Sequence, residues 1–285
     1  MTALSMLAPV ATHCADTRFG LDAELTHDTN VNRAAYPNEE QADDILAVEG
    51  YASRSVWLSN RSGLVMRGGL RLREHREFGD LGNAAALGRV AYRFQPSPGY
   101  TGFWVELAGS GELLRYRDSS LRDGYIVSGS VSAGKHLTDR IRAGAGLGLD
   151  EREGKEGALY DLSTTRAWLT LDYRITPRIT VYGSTNWIQG DHVFTANNPA
   201  TRALLSPYSE VIAADPAFAD AFGGAPVTAY RIEATTLLFE AGVNIPIKGN
   251  QALDFGASWF DSEADHGGGK YDGATFRLGY LYRFR

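Results

Sequence analysis

The chain has almost no cysteine, little methionine and no long apolar run. Cys14 is the single cysteine among 285 residues, so no internal disulfide can form and everything after it is thiol-free. A thiol-free body suits an oxidising compartment. No stretch approaches the ~18–20 apolar residues that a membrane helix needs. Mean hydropathy is −0.24 and 44% of residues are hydrophobic. Basic patches interleaved with aromatics, phosphate-cradling glycine loops and Cys/His zinc spacings are missing too. No nucleic acid, cofactor or metal is therefore expected.

What is abundant is glycine (32) and tyrosine (14), which barrels use for tight curvature and interfacial girdles. Low hydropathy does not count against a membrane barrel, because such a wall places apolar residues only at alternate positions. That alternation is present. Period-two segments occupy roughly 18–27, 45–58, 63–77, 84–95, 101–116, 125–137, 141–153, 159–175, 179–194, 227–247, 251–262 and 270–284. Val90, Tyr92 and Phe94 oppose Arg89, Ala91 and Arg93; Leu237, Phe239, Val243, Ile245 and Ile247 oppose Thr236, Glu240 and Asn244. A period of two belongs to strands, not helices. Most segments exceed the ~9–11 residues that cross a bilayer at a tilt.

The connections alternate in length. Tight turns of Ser, Pro, Asn, Asp and Gly follow even-numbered segments, as at Ser59-Asn60-Arg61-Ser62 and Lys248-Gly249-Asn250. Longer polar connections follow odd-numbered ones: 28–44, 78–83, 117–124, 154–158, 195–226 and 263–269. A soluble meander has no reason to sort loop length by side, whereas bacterial outer-membrane barrels do. The expectation is an all-β fold: one antiparallel transmembrane β-barrel of about 12 strands, spanning 16–285. Short turns then lie in the periplasm with both termini, and long loops lie outside. Residues 1–15 read as a signal-peptide remnant, with a short apolar part and no preceding Lys or Arg.

The last strand places Phe276, Leu278, Tyr280, Tyr282 and Phe284 on one parity, and the chain ends one residue later. This resembles the closing strand of Gram-negative outer-membrane barrels. His27-Asp28-Thr29-Asn30-Val31-Asn32-Arg33 looks like the Asp-x-Asn-Val segment of several outer-membrane barrel families, surface-lipoprotein assembly modifiers and porin-like barrels among them. The helical-repeat domain of those modifiers is not seen ahead of the barrel pattern. The resemblance implies a cell outer-membrane location, with lipid and lipopolysaccharide around the wall.

If the polar parity faces inward, the lining comprises Arg67, Arg71, Arg73, Arg89, Arg93, Glu106, Arg142, Arg166, Asp172, Arg174, Glu240, Arg277 and Arg283, with Glu112, Asp150 and Asp254. Arginine dominates although the whole chain carries −6, so the acid sits largely in loops. An arginine-biased lumen favours anions, and in this it is similar to channels for acidic oligosaccharides. The alternative is a narrow interior filled by arginine–carboxylate pairs. In 195–226, Ser206 with Pro207 is expected to start a short helix whose apolar side includes Val211, Ile212, Phe218 and Phe222. That connection could constrict the mouth, cover the rim, meet a partner, or pack on itself.

Catalytic constellations are absent from the sequence: His13, His27, His75, His136, His192 and His266 lie in no nucleophile–base spacing, and there is no Gly-x-Ser-x-Gly. No enzyme is expected. The acidic run Asp261–Asp265 lacks the ligand spacing of a calcium loop and reads as a solvated loop. The expected function is a passive channel for small, anionic solutes. The alternative is the barrel part of an export or assembly system with a periplasmic or surface protein partner.

Overall fold

The computed structural model describes residues 16–285 apart from 98, 100, 101, 225, 226, 266, 268 and 285. The expected leader 1–15, with Cys14 and His13, lies outside the described residues, as does His266. The strands are β1 (Asp16–Asp28), β2 (Asp43–Ser59), β3 (Ser62–His75), β4 (Asn83–Phe94), β5 (Trp104–Tyr116) and β6 (Gly124–His136). They continue as β7 (Ile141–Gly154), β8 (Leu162–Arg174), β9 (Thr180–Ala196), β10 (Val211–Asp215), β11 (Val227–Lys248), β12 (Gln251–Ala264) and β13 (Lys270–Arg283). Strands β1 to β9 pair antiparallel in chain order, as do β10 to β13, β9 pairs with β11, and β13 returns to β1 from Gly20↔Arg283 to Asp28↔Thr275. The result is a closed twelve-strand barrel with β10 outside the ring.

The twelve ring strands are the twelve that alternation marks out. β8 starts at Leu162, three residues later than the pattern indicates, because Ala158–Tyr160 form a 3₁₀ turn that buries Leu159 and Tyr160 in the mouth. The sorting of loop length is not strict. The 95–103 connection is longer than 265–269, although it lies at the turn end.

Burial follows parity. Leu70 (69% exposed), Leu107, Leu147 and Leu169 stand on the outer face, as do Phe239, Trp259, Phe276 and Leu278. An apolar belt encircling a wall is stable only against lipid, since water would penalise so much contiguous apolar surface.

The loop end is built differently. Pairing of β8 with β9 stops at Thr164↔Gly190, and pairing of β11 with β12 stops at Ala234↔Ala264. Past those points β9 and β11 continue to pair with each other, with β10 alongside β11 from Val211↔Arg231 to Asp215↔Val227, and Thr195 of β9 adds a single parallel bridge to Ala34. This three-stranded flap leaves the wall at Gly190, whose φ is +132° and whose added Cβ would run into Ser163 O.

Both faces of the flap are packed. Phe194, Tyr230 and Ile232 join Ala35, Phe260 and Tyr271 in one core, roofed by Leu205. Ala229, on the opposite parity, packs on Leu159 and Tyr160 with Val193, Val211 and Leu121 beside them. A third core joins Phe218, Ala217 and Val227 to Phe78 and Leu81. Between β9 and β10 the chain forms α1 (Pro199–Leu205), capped by Asn198 Oδ1, which accepts from Thr201 N at 2.9 Å. The expected helix at Ser206 is instead one 3₁₀ turn, Ser206–Tyr208, and Val211 and Ile212 lie in β10. Asn198 with Pro199 is the stronger start signal, and β11 supplies a free edge on which the later residues pair.

Candidate functional site: a charged inner wall beneath a covered mouth

The inner wall is layered. Inward aromatic rings lie flat against glycines of the next strand: Tyr51 on Gly20, Trp104 on Gly134, Trp168 on Gly146 and Tyr182 on Gly242, each so close that a Cβ would collide with the ring. Arginines stack on several of these rings. Arg67 stacks on Tyr51 at 3.6 Å, Arg93 and Arg142 on Trp104 at 4.6 and 5.3 Å, and Arg166 on Trp168 at 5.2 Å. Glycine thus draws the ring against the backbone, and the ring fixes the guanidinium.

Carboxylates complete the layer. Arg67 reaches Glu49 at 2.5 Å and Asp22 at 3.4 Å; Arg71 pairs with Glu112; Arg166 pairs with Asp150 at 3.1 Å; Arg142 lies 3.9 Å from Asp172. Glu106 is shared by Arg89 at 2.7 Å and Arg93 at 2.6 Å. Arg277 is shared by Asp254 at 3.0 Å, Glu240 at 3.1 Å and Glu24 at 3.7 Å, and it donates to Tyr182 Oη at 2.7 Å. Arg73 and Arg174 have no carboxylate within ion-pair distance among the described residues. Arg283 is on the same parity, next to Gly20 of β1.

All the expected lining residues therefore carry their side chains on the inner parity. Their surplus of arginine is smaller than the sequence suggested, because Asp22, Glu24 and Glu49 also face inward. The signal was there: Asp22 and Glu24 share the parity of Gly20, and Glu49 that of Tyr51.

The mouth is held by buried polar latches. Arg122 forms a bidentate pair with Asp215 of β10, one bond at 2.8 Å, and donates to Ser119 Oγ at 2.8 Å. Burial pulls the guanidinium down, yet Tyr160 and Asp215 more than offset it and hold it above its ordinary value. Burial pushes the Tyr160 hydroxyl up. On the other side, buried Glu39 accepts from Asn197 N at 2.7 Å, from Asn198 and from Thr201 Oγ1 at 3.1 Å, tying α1 to the 29–42 connection. The Asp-x-Asn-Val segment serves the same closure. Asn30 bridges Ala34 and Asp272 O, Arg33 pairs with Asp28 at 2.9 Å, and Asn32 O accepts from Thr195 Oγ1 at 2.6 Å. Arg33, at φ +52°, fills the centre of that turn. The flap and the 197–226 connection thus touch 29–42, 76–82, 117–123, 155–161 and 265–269.

His192 Nδ1 lies 3.4 Å from both Thr236 Oγ1 and Tyr271 Oη, and Thr236 donates to Ser262 Oγ at 2.8 Å. This polar layer floors the Phe194 core. Asp261 pairs with Lys270 at 2.8 Å, and Asp265 accepts from Thr235 at 3.0 Å, so the acidic run is engaged by its own neighbours.

A closed twelve-strand ring with an apolar outer belt has clear counterparts. An outer membrane channel from Pseudomonas putida F1 superposes with a TM-score of 0.60 at 10% identity, covering 98% of this chain and 100% of that one. The fold is that of an outer-membrane β-barrel. Two porins overlap at lower scores. The NanC porin gives 0.48 at 11% identity over 92% of this chain and 98% of its own. The KdgM porin, solved in complex with disordered oligogalacturonate, gives 0.46 at 10% identity over 93% and 99%. No family model and no curated protein matches the chain.

Proposed function

We propose that this protein is a passive outer-membrane channel for small polar solutes, with its loop end outside the cell and its turn end and both termini in the periplasm. The observation that carries this reading is the contrast in packing along the axis. Inner-wall side chains such as Arg67, Arg71 and Arg142 keep about 20% of their surface open, while the mouth cores are closed to water. Rings pressed onto glycine leave the centre of the barrel to charged groups and water. Arg73 and Arg174, without paired carboxylates, give a mild preference for anions. The flap makes the mouth the narrow end.

Conductance in planar bilayers tests the channel, and reversal potential in a salt gradient tests the preference. Discrete conductance steps with modest anion selectivity are expected. Silence in the wild type and in an Arg122→Ala/Asp215→Ala variant would sink the channel; clear cation selectivity would remove the anion preference. Labelling of an Arg76→Cys variant in intact cells checks the orientation, with strong labelling expected.

A further inference from the structure

The twelve-strand ring divides into two facing half-walls of six strands, β3–β8 and β9, β11–β13, β1, β2. Below the mouth, arginines outnumber carboxylates among the described inner side chains of the first half, and carboxylates outnumber arginines in the second. The asymmetry is sharpest at two clusters. On β4 and β5, one carboxylate, Glu106, is shared by Arg89 and Arg93. On β1, β11, β12 and β13, one guanidinium, Arg277, is shared by Glu24, Glu240 and Asp254. β5 and β12 are six strands apart whichever way the ring is followed, so the two clusters stand on opposite sides of the lumen. Both lie in the middle to turn-end stretch of their strands.

Charge placed this way produces a field across the channel rather than along it. A net anion gains at the basic cluster and loses at the acidic one, and a net cation does the reverse. A molecule carrying both charges gains at both when it lies across the lumen. Resting on the channel reading, we propose that the preferred solutes are small zwitterions of the amino-acid type, with the anionic end toward Arg89 and Arg93 and the ammonium end toward Glu240 and Asp254. Low-dielectric walls make such a field count for more than it would in bulk water. The stacked rings and shared ion pairs keep the charged groups in place.

The test is swelling of proteoliposomes carrying the full chain, with glycine or alanine, a neutral polyol of matched size, and gluconate. At low ionic strength the zwitterions are expected to enter several-fold faster than the polyol. High salt, which shortens screening to about 3 Å at 1 M, should erase that advantage. Glu240→Gln/Asp254→Asn should lower the zwitterion-to-polyol ratio and raise the gluconate-to-polyol ratio; Arg89→Gln/Arg93→Gln should lower both. If the polyol enters but the zwitterion ratio is near one and indifferent to salt, the inference is overturned and the channel stands. If nothing enters, even with the Arg122–Asp215 latch cut, the channel reading itself falls. The salt series on the wild type decides the matter even where a variant does not fold.

Discussion

The mouth and the belt of this barrel obey the hydrophobic effect in opposite directions. In the mouth, Phe194, Leu205, Phe218 and Tyr230 turn away from water into small cores between connections, as in a soluble domain. In the belt, Leu70, Leu147 and Phe276 turn outward, and the charges turn in. Strand β11 contains both regimes. Its even-numbered residues are apolar and buried at Tyr230 and Ile232, then polar at Thr236 and Glu240 as the strand enters the belt. The inner parity does not change along the strand; what occupies the space inside it does. Alternation therefore marks which residues share a face, and the neighbours decide what that face needs.

The comparison can be broken first at the mouth. Arg122→Ala leaves Asp215 buried without its partner, which costs about 3–5 kcal/mol. Amide exchange should then speed up across 210–222 while the barrel strands stay protected, and conductance should rise. Equal protection in both regions would mean that mouth and belt are one cooperative unit. The belt comes next. Leu147→Arg puts a charge on the lipid side and should cost about 2–4 kcal/mol, read as lower folding stability in denaturant titration in lipid. The same charge at inner-facing Ser130 should cost far less, and equal costs would refute the assignment of faces. The smallest effect is on the inner wall. Tyr182→Phe removes the hydroxyl between Arg277 and Asp254 (2.7 Å to each) and should cost about 1 kcal/mol. Its selectivity should shift without a change in heat-modifiable mobility on gels.

The barrel was legible because period two repeats over a dozen segments and each repeat constrains the next. The inner arginines followed from parity alone. Asp22 and Glu24 alternate with Leu21, Ala23 and Leu25 and were open to the same reading, whereas on β2 Ile45, Ala47 and Trp57 share the parity of Glu49 and blur the alternation there. The flap was not legible. Val211–Asp215 is strand only because the extended edge of β11 is there to receive it, and Asp215 is buried only because Arg122 arrives from a connection 93 residues earlier. Such non-local pairing leaves no period in the sequence. The Asp-x-Asn-Val segment stood out for its composition, and its asparagines hydrogen-bond across the mouth, Asn30 to Asp272 O and Asn32 to Glu39 O.

The latches also set an order of assembly. Asn30 reaches Asp272 O across 242 residues and Thr195 reaches Asn32 across 163, so neither bond can form until β1 has met β13. Closing such long loops is slow and entropically costly unless the wall has already brought the ends together. The mouth must therefore be the last part to fold and the first to come undone. An intact flap is in effect a certificate that the ring beneath it has closed in the correct register.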